Sequence, residues 1–405
     1  MQGVFAVQFI YYDFLENIYT FLMSKDPIYL DYASTHPRKQ EIMKVREQFE
    51  KTAYANVGRG NYDLAEAAMI AYQNSKKAVA RWIDCDPVEV LYTYSATYAL
   101  NLLALTLEQN GVIGKGDTIL LSVSEHHANI VPWQMLAKRV GAMVKFVGLD
   151  DGYRLDLDYF QNKLDASVKV VSLQYGSNVT GAVHPLEKVR AMIGDRLFFI
   201  DATQMVLHGP LSMKDIGCDA LVFSWHKMMA DTGIWVLALR RELQKSWQAP
   251  MGGGWAINFV SQEGYEQAGI PERWEPGTPH ITGVVTLGAA INFLDKMDVT
   301  CRTRYRDLLT FVDDAFSKMH DRWVTVFHSQ YERVLGVWSF TVADKHPTDI
   351  ADMLSEQGVC VRSGHHCCEP LHTHLWISGS VRVSIGYDTT RDDMERFFAL
   401  LSDIL

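Results

Sequence analysis

Cysteine is scarce in this chain: six residues in 405, at positions 85, 218, 301, 360, 367 and 368. That spread is too thin for the disulfide framework of a small secreted domain, and it predicts a reducing, cytoplasmic setting. No basic tract interrupts a net charge of -10. Without a patch of Lys and Arg to neutralise phosphates, nucleic acid is excluded as an expected partner. Internal repeats and low-complexity blocks are missing too, which excludes solenoid and linker-rich architectures. The aromatic first segment lacks a basic n-region and carries Asp13, Glu16 and Asn17 within its apolar run. Neither a signal peptide nor a membrane span is expected.

What is present is a large apolar fraction, 48% of the chain, enough for a sizeable core in two domains. In residues 1–28, Phe14, Leu15, Ile18, Phe21 and Leu22 recur at helical spacing, so an amphipathic helical extension is expected. It packs on the body of the protein, or else lies on the surface toward a membrane or partner. From 29 to 289, runs such as VLYTYS, TILLSVS, VKVVSLQY, RLFFID, ALVFSWH and GIWVLALR alternate with helical patterns. Such near-continuous apolar strands predict an α/β domain with a mostly parallel sheet covered on both faces. Residues 290–405 change pattern and predict a smaller α+β domain.

Ligands of open α/β sheets bind at the carboxyl ends of the strands, and polar residues cluster at those ends here. Lys227 follows ALVFSWH. Desolvation there would favour the neutral amine that condenses with carbonyls, although an isolated lysine after a strand can equally be a surface residue. Asp201 closes RLFFID; a buried carboxylate needs a cation such as a protonated pyridine nitrogen, or else caps a turn. A Lys paired with an Asp in this way is the protein signature of pyridoxal phosphate. Thr97 stands where a strand turns into a helix, a place that suits a phosphate or an ordinary N-cap. His126 in SEHHANIVPW could stack on an aromatic cofactor or sit in the core. Arg382 could grip an α-carboxylate bidentately or lie at the surface.

The stretch from Arg362 to His374, RSGHHCCEPLHTH, raises a choice between a metal cage and a reactive thiol. It lacks the paired spacing of structural zinc sites, so no metal is expected.

Taken together, YLDYAST, EHHANIVPWQML, SNVTG, IDATQ, SWHK, EPGTP and VRSGHHC resemble the group II cysteine desulfurases. These are class V aminotransferase relatives with the type I pyridoxal-phosphate fold, a large mostly parallel domain and a small C-terminal one. The resemblance runs from YLDYAST to the C-terminus. It implies that Lys227 carries pyridoxal 5'-phosphate, that Asp201 pairs with its pyridine nitrogen, and that His126 stacks on the ring. It also implies that Gln204 bonds the ring hydroxyl and that Thr97, Ser224 and His226 hold the phosphate, beside Ala96. Asn178 would lie near the substrate, Thr278 would reach the phosphate of a partner subunit in a homodimer, and Arg382 would bind the carboxylate of L-cysteine. Cys367 would be the nucleophile, with His126 helping to deprotonate it and alanine as product. Its persulfide would pass to a sulfur-acceptor protein, in the family usually for iron-sulfur cluster assembly.

Related readings are a selenocysteine lyase, another pyridoxal-phosphate lyase or aminotransferase, and, from a different class, a non-catalytic metal or sulfur carrier. The chain departs from the family at Ala96, where a phosphate-binding hydroxyl is lost, at Gly58, which stands for a histidine, and at Trp225, which stands for a glycine. All three are expected close to the cofactor.

Overall fold

The computed structural model describes residues 27–58, 60–319, 323–331 and 334–405. The helical extension expected over residues 1–28 lies, but for its last two residues, outside them.

Seven strands form the principal sheet in the order Val90–Thr93, Trp235–Leu239, Ala220–Ser224, Leu197–Asp201, Val168–Gln174, Thr118–Ser122 and Met143–Val147. The last five run parallel to one another. Trp235–Leu239 is antiparallel to both of its neighbours. Three of these strands are buried along their whole length and three more at all but one residue, which is why they read as continuous apolar runs. Met143–Val147, half-exposed at the sheet edge, has no such run and was not singled out in the sequence.

Asp201 and Ser224 are the last residues of adjacent parallel strands. Parallel strands need crossover connections, so every strand in this register ends on the same side of the sheet. Consequently the loops carrying His126, Asn178, Asp201 and Lys227 open toward one region.

A four-stranded antiparallel sheet, in the order Val324–Phe327, Val337–Val342, Ser380–Ser384 and Arg362–Gly364, forms the C-terminal part with helices Pro347–Glu356 and Arg391–Ile404. The start of the chain joins this part: Ile28–Tyr29 pairs in parallel with Val359–Cys360, and Asp31 bridges to Ser384. Helix Ile281–Asp295 packs on Asp63–Trp82, where Gly288 allows a close approach; a Cβ there would meet Ser75 Oγ at 2.4 Å.

Candidate active site

A cavity of about 380 Å³ lies at the carboxyl ends of the parallel strands. Of the residues singled out in the sequence, it gathers Ala96, Thr97, His126, Asn178, Asp201, Gln204, Ser224, His226, Lys227, Cys367 and Arg382. Thr278 is not among its lining; it is exposed on the loop before helix Ile281–Asp295.

One corner is the start of helix Ala96–Gln109. The Ser95 hydroxyl caps it by accepting from Tyr98 N at 2.8 Å, and the first-turn amides of Ala96 and Thr97 precede the helix's own bonding pattern. Such a helix start attracts an anion. Ser224 Oγ is buried with no partner, and it lines the same cavity.

Asp201 is buried, and its Oδ1 accepts from Thr203 N at 3.0 Å. Burial raises its pKa against the opposing bonds from Thr203 and the charge of Lys227. Lys227 is displaced the other way, to about 8, because burial and the nearby Arg382 disfavour its ammonium.

The His126 ring accepts from Ala128 N through Nδ1 at 3.1 Å. Burial and then Lys227 lower its pKa to about 4, so it is neutral and carries its proton on Nε2. That tautomer donates to the cavity rather than taking the Cys367 proton. Behind it, Glu125 accepts from Ser122 Oγ at 2.5 Å and from Asn129 Nδ2 and Gln174 N at 2.7 Å, fixing the loop.

Cys367 is exposed, whereas Cys368 is buried with its thiol donating to Ser124 O at 3.1 Å. Burial pushes the Cys368 thiol up, which makes it a poor nucleophile. Cys368→Ala is therefore expected to retain sulfur chemistry and to lower stability by about 1 kcal/mol, as a denaturant melt would measure.

Three histidines of the same stretch lie close together, the His372 ring 5.3 Å from that of His365 and 5.7 Å from that of His366. His366 and His372 both bond Ser380 Oγ at 3.0 Å, and His365 lies 3.4 Å from Glu369. Among the described residues, no group of three His, Cys, Asp or Glu side chains converges to hold a metal ion.

Arg382 is buried beside Asn178, and Arg362, which the sequence reading did not single out as a site residue, also lines the cavity. Asp31 lies against both guanidinium groups. Burial alone would raise its carboxyl, but the Arg362 bond and the Arg382 charge outweigh this and hold its pKa below the ordinary value.

Of the three departures, only Ala96 lines the cavity. Gly58 has φ +110°, and a Cβ there would lie 2.2 Å from Trp255 Cζ3, so the Trp255 ring excludes any larger residue. Trp225 is fully buried and packs edge-on against Tyr92 at 5.4 Å, filling core. Of the three, Ala96 alone touches the cavity, while Trp225 stands behind it between Ser224 and His226, which line it.

The model for class-V aminotransferases matches residues 28–397. The chain belongs to the class-V aminotransferase family. Among members of this family, it is 34% identical to a probable cysteine desulfurase of Synechocystis sp., over 92% of this chain and 90% of that protein. It is 36% identical to a probable cysteine desulfurase of Mycobacterium leprae, over 92% and 90%. A solved apo cysteine desulfurase from Thermococcus onnurineus NA1 superposes with a TM-score of 0.89 at 31% identity, covering 94% of this chain and 95% of that one. A cysteine desulfurase from Escherichia coli, solved in an S-sulfonic acid form, gives 0.84 at 28%, covering 93% and 94%.

Proposed function

We propose that this protein is a pyridoxal-phosphate-dependent cysteine desulfurase of the group II type, which takes sulfur from L-cysteine and leaves L-alanine. The observation that carries this reading is one cavity holding an exposed cysteine, a lysine with a depressed pKa, and a buried carboxylate.

The residues fit the cofactor. The first-turn amides of Ala96 and Thr97, the unpartnered Ser224 hydroxyl and the His226 ring suit its phosphate. Asp201 suits its pyridine nitrogen, Gln204 its ring hydroxyl, His126 its ring face and Lys227 its aldehyde carbon. When bound, pyridoxal phosphate supplies an electron sink for bonds at the substrate's α-carbon.

The chain's own groups do the rest. Asp201 would offset its own burial by pairing, as the carboxylate, with a protonated pyridine nitrogen. Arg382 orients the substrate through its carboxylate, next to Asn178. His126 holds a proton on Nε2 within the cavity, and Lys227 Nζ, its pKa lowered to about 8, can accept and return one. Cys367 presents its thiolate to the substrate sulfur and keeps that sulfur as a persulfide.

Because Lys227 titrates near 8, uptake of the cofactor by the cofactor-free protein should speed up as pH rises through that value. Arg382 contributes to the depression, so Arg382→Gln should move the midpoint upward; stopped-flow absorbance at a series of pH values checks both.

Thr278 is exposed, and the hairpin formed by Ile257–Val260 and Tyr265–Gln267 displays Phe259, Val260 and Tyr265 to solvent. Both features support a homodimer in which Thr278 reaches the partner's phosphate site. Six unpaired thiols suit a cytoplasmic protein, and the exposed Cys367 suits delivery to an acceptor protein, as in iron-sulfur cluster assembly.

Incubation of the loaded protein with L-cysteine, without reductant, should leave the Cys367 peptide one sulfur atom heavier by mass spectrometry. Sulfur on Cys368 alone, or on neither cysteine, would count against the proposal.

A further inference from the structure

Arg362 and Arg382 face each other across neighbouring antiparallel strands. Like charges directly opposite on a sheet repel, and this pair is held together by a single carboxylate. Asp31 receives Arg362 Nη2 at 2.8 Å and Arg362 Nε at 3.2 Å, while Arg382 Nη2 donates to its other oxygen at 2.9 Å. The chain segment that carries it is strapped across the sheet, with Ser384 N donating to Leu30 O at 2.8 Å and Ala33 N to Ser384 Oγ at 2.9 Å.

The donors of Arg382 can be counted. Nη1 donates to Asn178 O at 3.1 Å. Nη2 has two hydrogens, and both are taken, one by Asp31 and one by Ser34 Oγ at 2.7 Å. Nε is buried and has no partner.

A guanidinium meets a carboxylate with two parallel bonds either side-on, through Nε and Nη2, or end-on, through Nη1 and Nη2. Both arrangements need Nη2. As the site stands, a substrate carboxylate can be gripped bidentately only if Asp31 or Ser34 lets go. Of the two, Asp31 has a second guanidinium ready to keep its charge paired.

Building on Arg382 as the carboxylate site, we propose that Asp31 is a resting latch on that arginine. The incoming carboxylate takes Nε and Nη2 of Arg382 in its place, and Asp31 stays on Arg362. Asp31 is thus a positioning residue that never touches the reacting atoms. Between turnovers it keeps a buried guanidinium paired, and it competes with substrate and product alike, which helps the product leave.

The test is the sign of one change. Asp31→Asn keeps the shape and removes the competing charge, so L-alanine should bind the holoenzyme more tightly, on the order of tenfold, with KM for L-cysteine falling alongside. If Asp31 only braces Arg382, the same variant binds L-alanine more weakly; weaker or unchanged binding, read from the cofactor absorbance, overturns the latch.

A second arm needs no variant. In a crystal structure of the unsubstituted holoenzyme with L-alanine, the Asp31–Arg382 contact should be gone and the Asp31–Arg362 contact kept. Persistence of the first with L-alanine on Arg382 also overturns the proposal. Failure of the unsubstituted protein to bind L-alanine at all would instead remove the proposed function, and the latch with it.

Discussion

Replacing Cys367 by alanine should reduce alanine production from L-cysteine by at least about a thousandfold, a rise of roughly 4 kcal/mol in the barrier. Cys367 is the one cysteine lining the cavity. Cys85 and Cys218 are packed away and burial raises both thiols, so neither can take over.

The backbone around Cys367 is held as well. His366 and Cys367 have φ of 52° and 55°, a left-handed pair that side chains with a Cβ adopt at a cost. Bonds from the parallel-sheet loops fix it: His127 N donates to Cys367 O and Asn178 Nδ2 to His366 O, each at 2.8 Å. Alanine leaves these backbone bonds in place, so the loss would be chemical rather than structural. Undiminished alanine production from L-cysteine by Cys367→Ala would contradict this role, and production surviving only from L-selenocysteine would be the pattern of a selenocysteine lyase.

Substituting Lys227 by methionine keeps the stem and removes the amine, and its expected effect is as large. The cofactor would lose its attachment, turnover would fall by at least about a thousandfold, and absorbance together with an alanine assay would record both.

The same variant should stabilise the cofactor-free protein, because a folded pKa near 8 against the ordinary 10.5 means that the unfolded chain binds the proton more tightly. The penalty is complete below pH 8 and fades as pH rises toward 10.5. Lys227→Met should therefore melt higher than the unsubstituted protein at pH 7, with a shrinking gain in alkaline buffer. A lower melting temperature at pH 7 would show that Lys227 is a structural cation.

Much of this site could be read from local pattern. Asp201 ends one buried strand and Lys227 follows another, and a polar residue there is visible because it breaks an apolar run, whereas Ser224 came only from the family resemblance. Cys367, which the family resemblance makes the nucleophile, is the exposed member of the adjacent pair and Cys368 the buried one.

Arg362 and Asp31 were harder to find. Asp31 meets Arg382 across 351 positions of sequence, and no local period records such a contact. A signal did exist, since Asp31 closes the apolar stretch IYL as Asp201 closes RLFFID, and the same question about a partner cation applies to both. The edge strand Met143–Val147 lacked a continuous run because, at the open edge of the sheet, all of it but Val147 is at least partly exposed and Lys145 interrupts it. The exchange of a histidine for Gly58 was opaque without Trp255, whose ring fills the space nearly two hundred positions later.

The most direct test of the account is the amount of alanine formed per subunit when the loaded protein is incubated with L-cysteine and a thiol reductant. Many equivalents per subunit, rising linearly with time, are predicted. A yield that never passes one equivalent, with the cofactor chromophore intact, would contradict it.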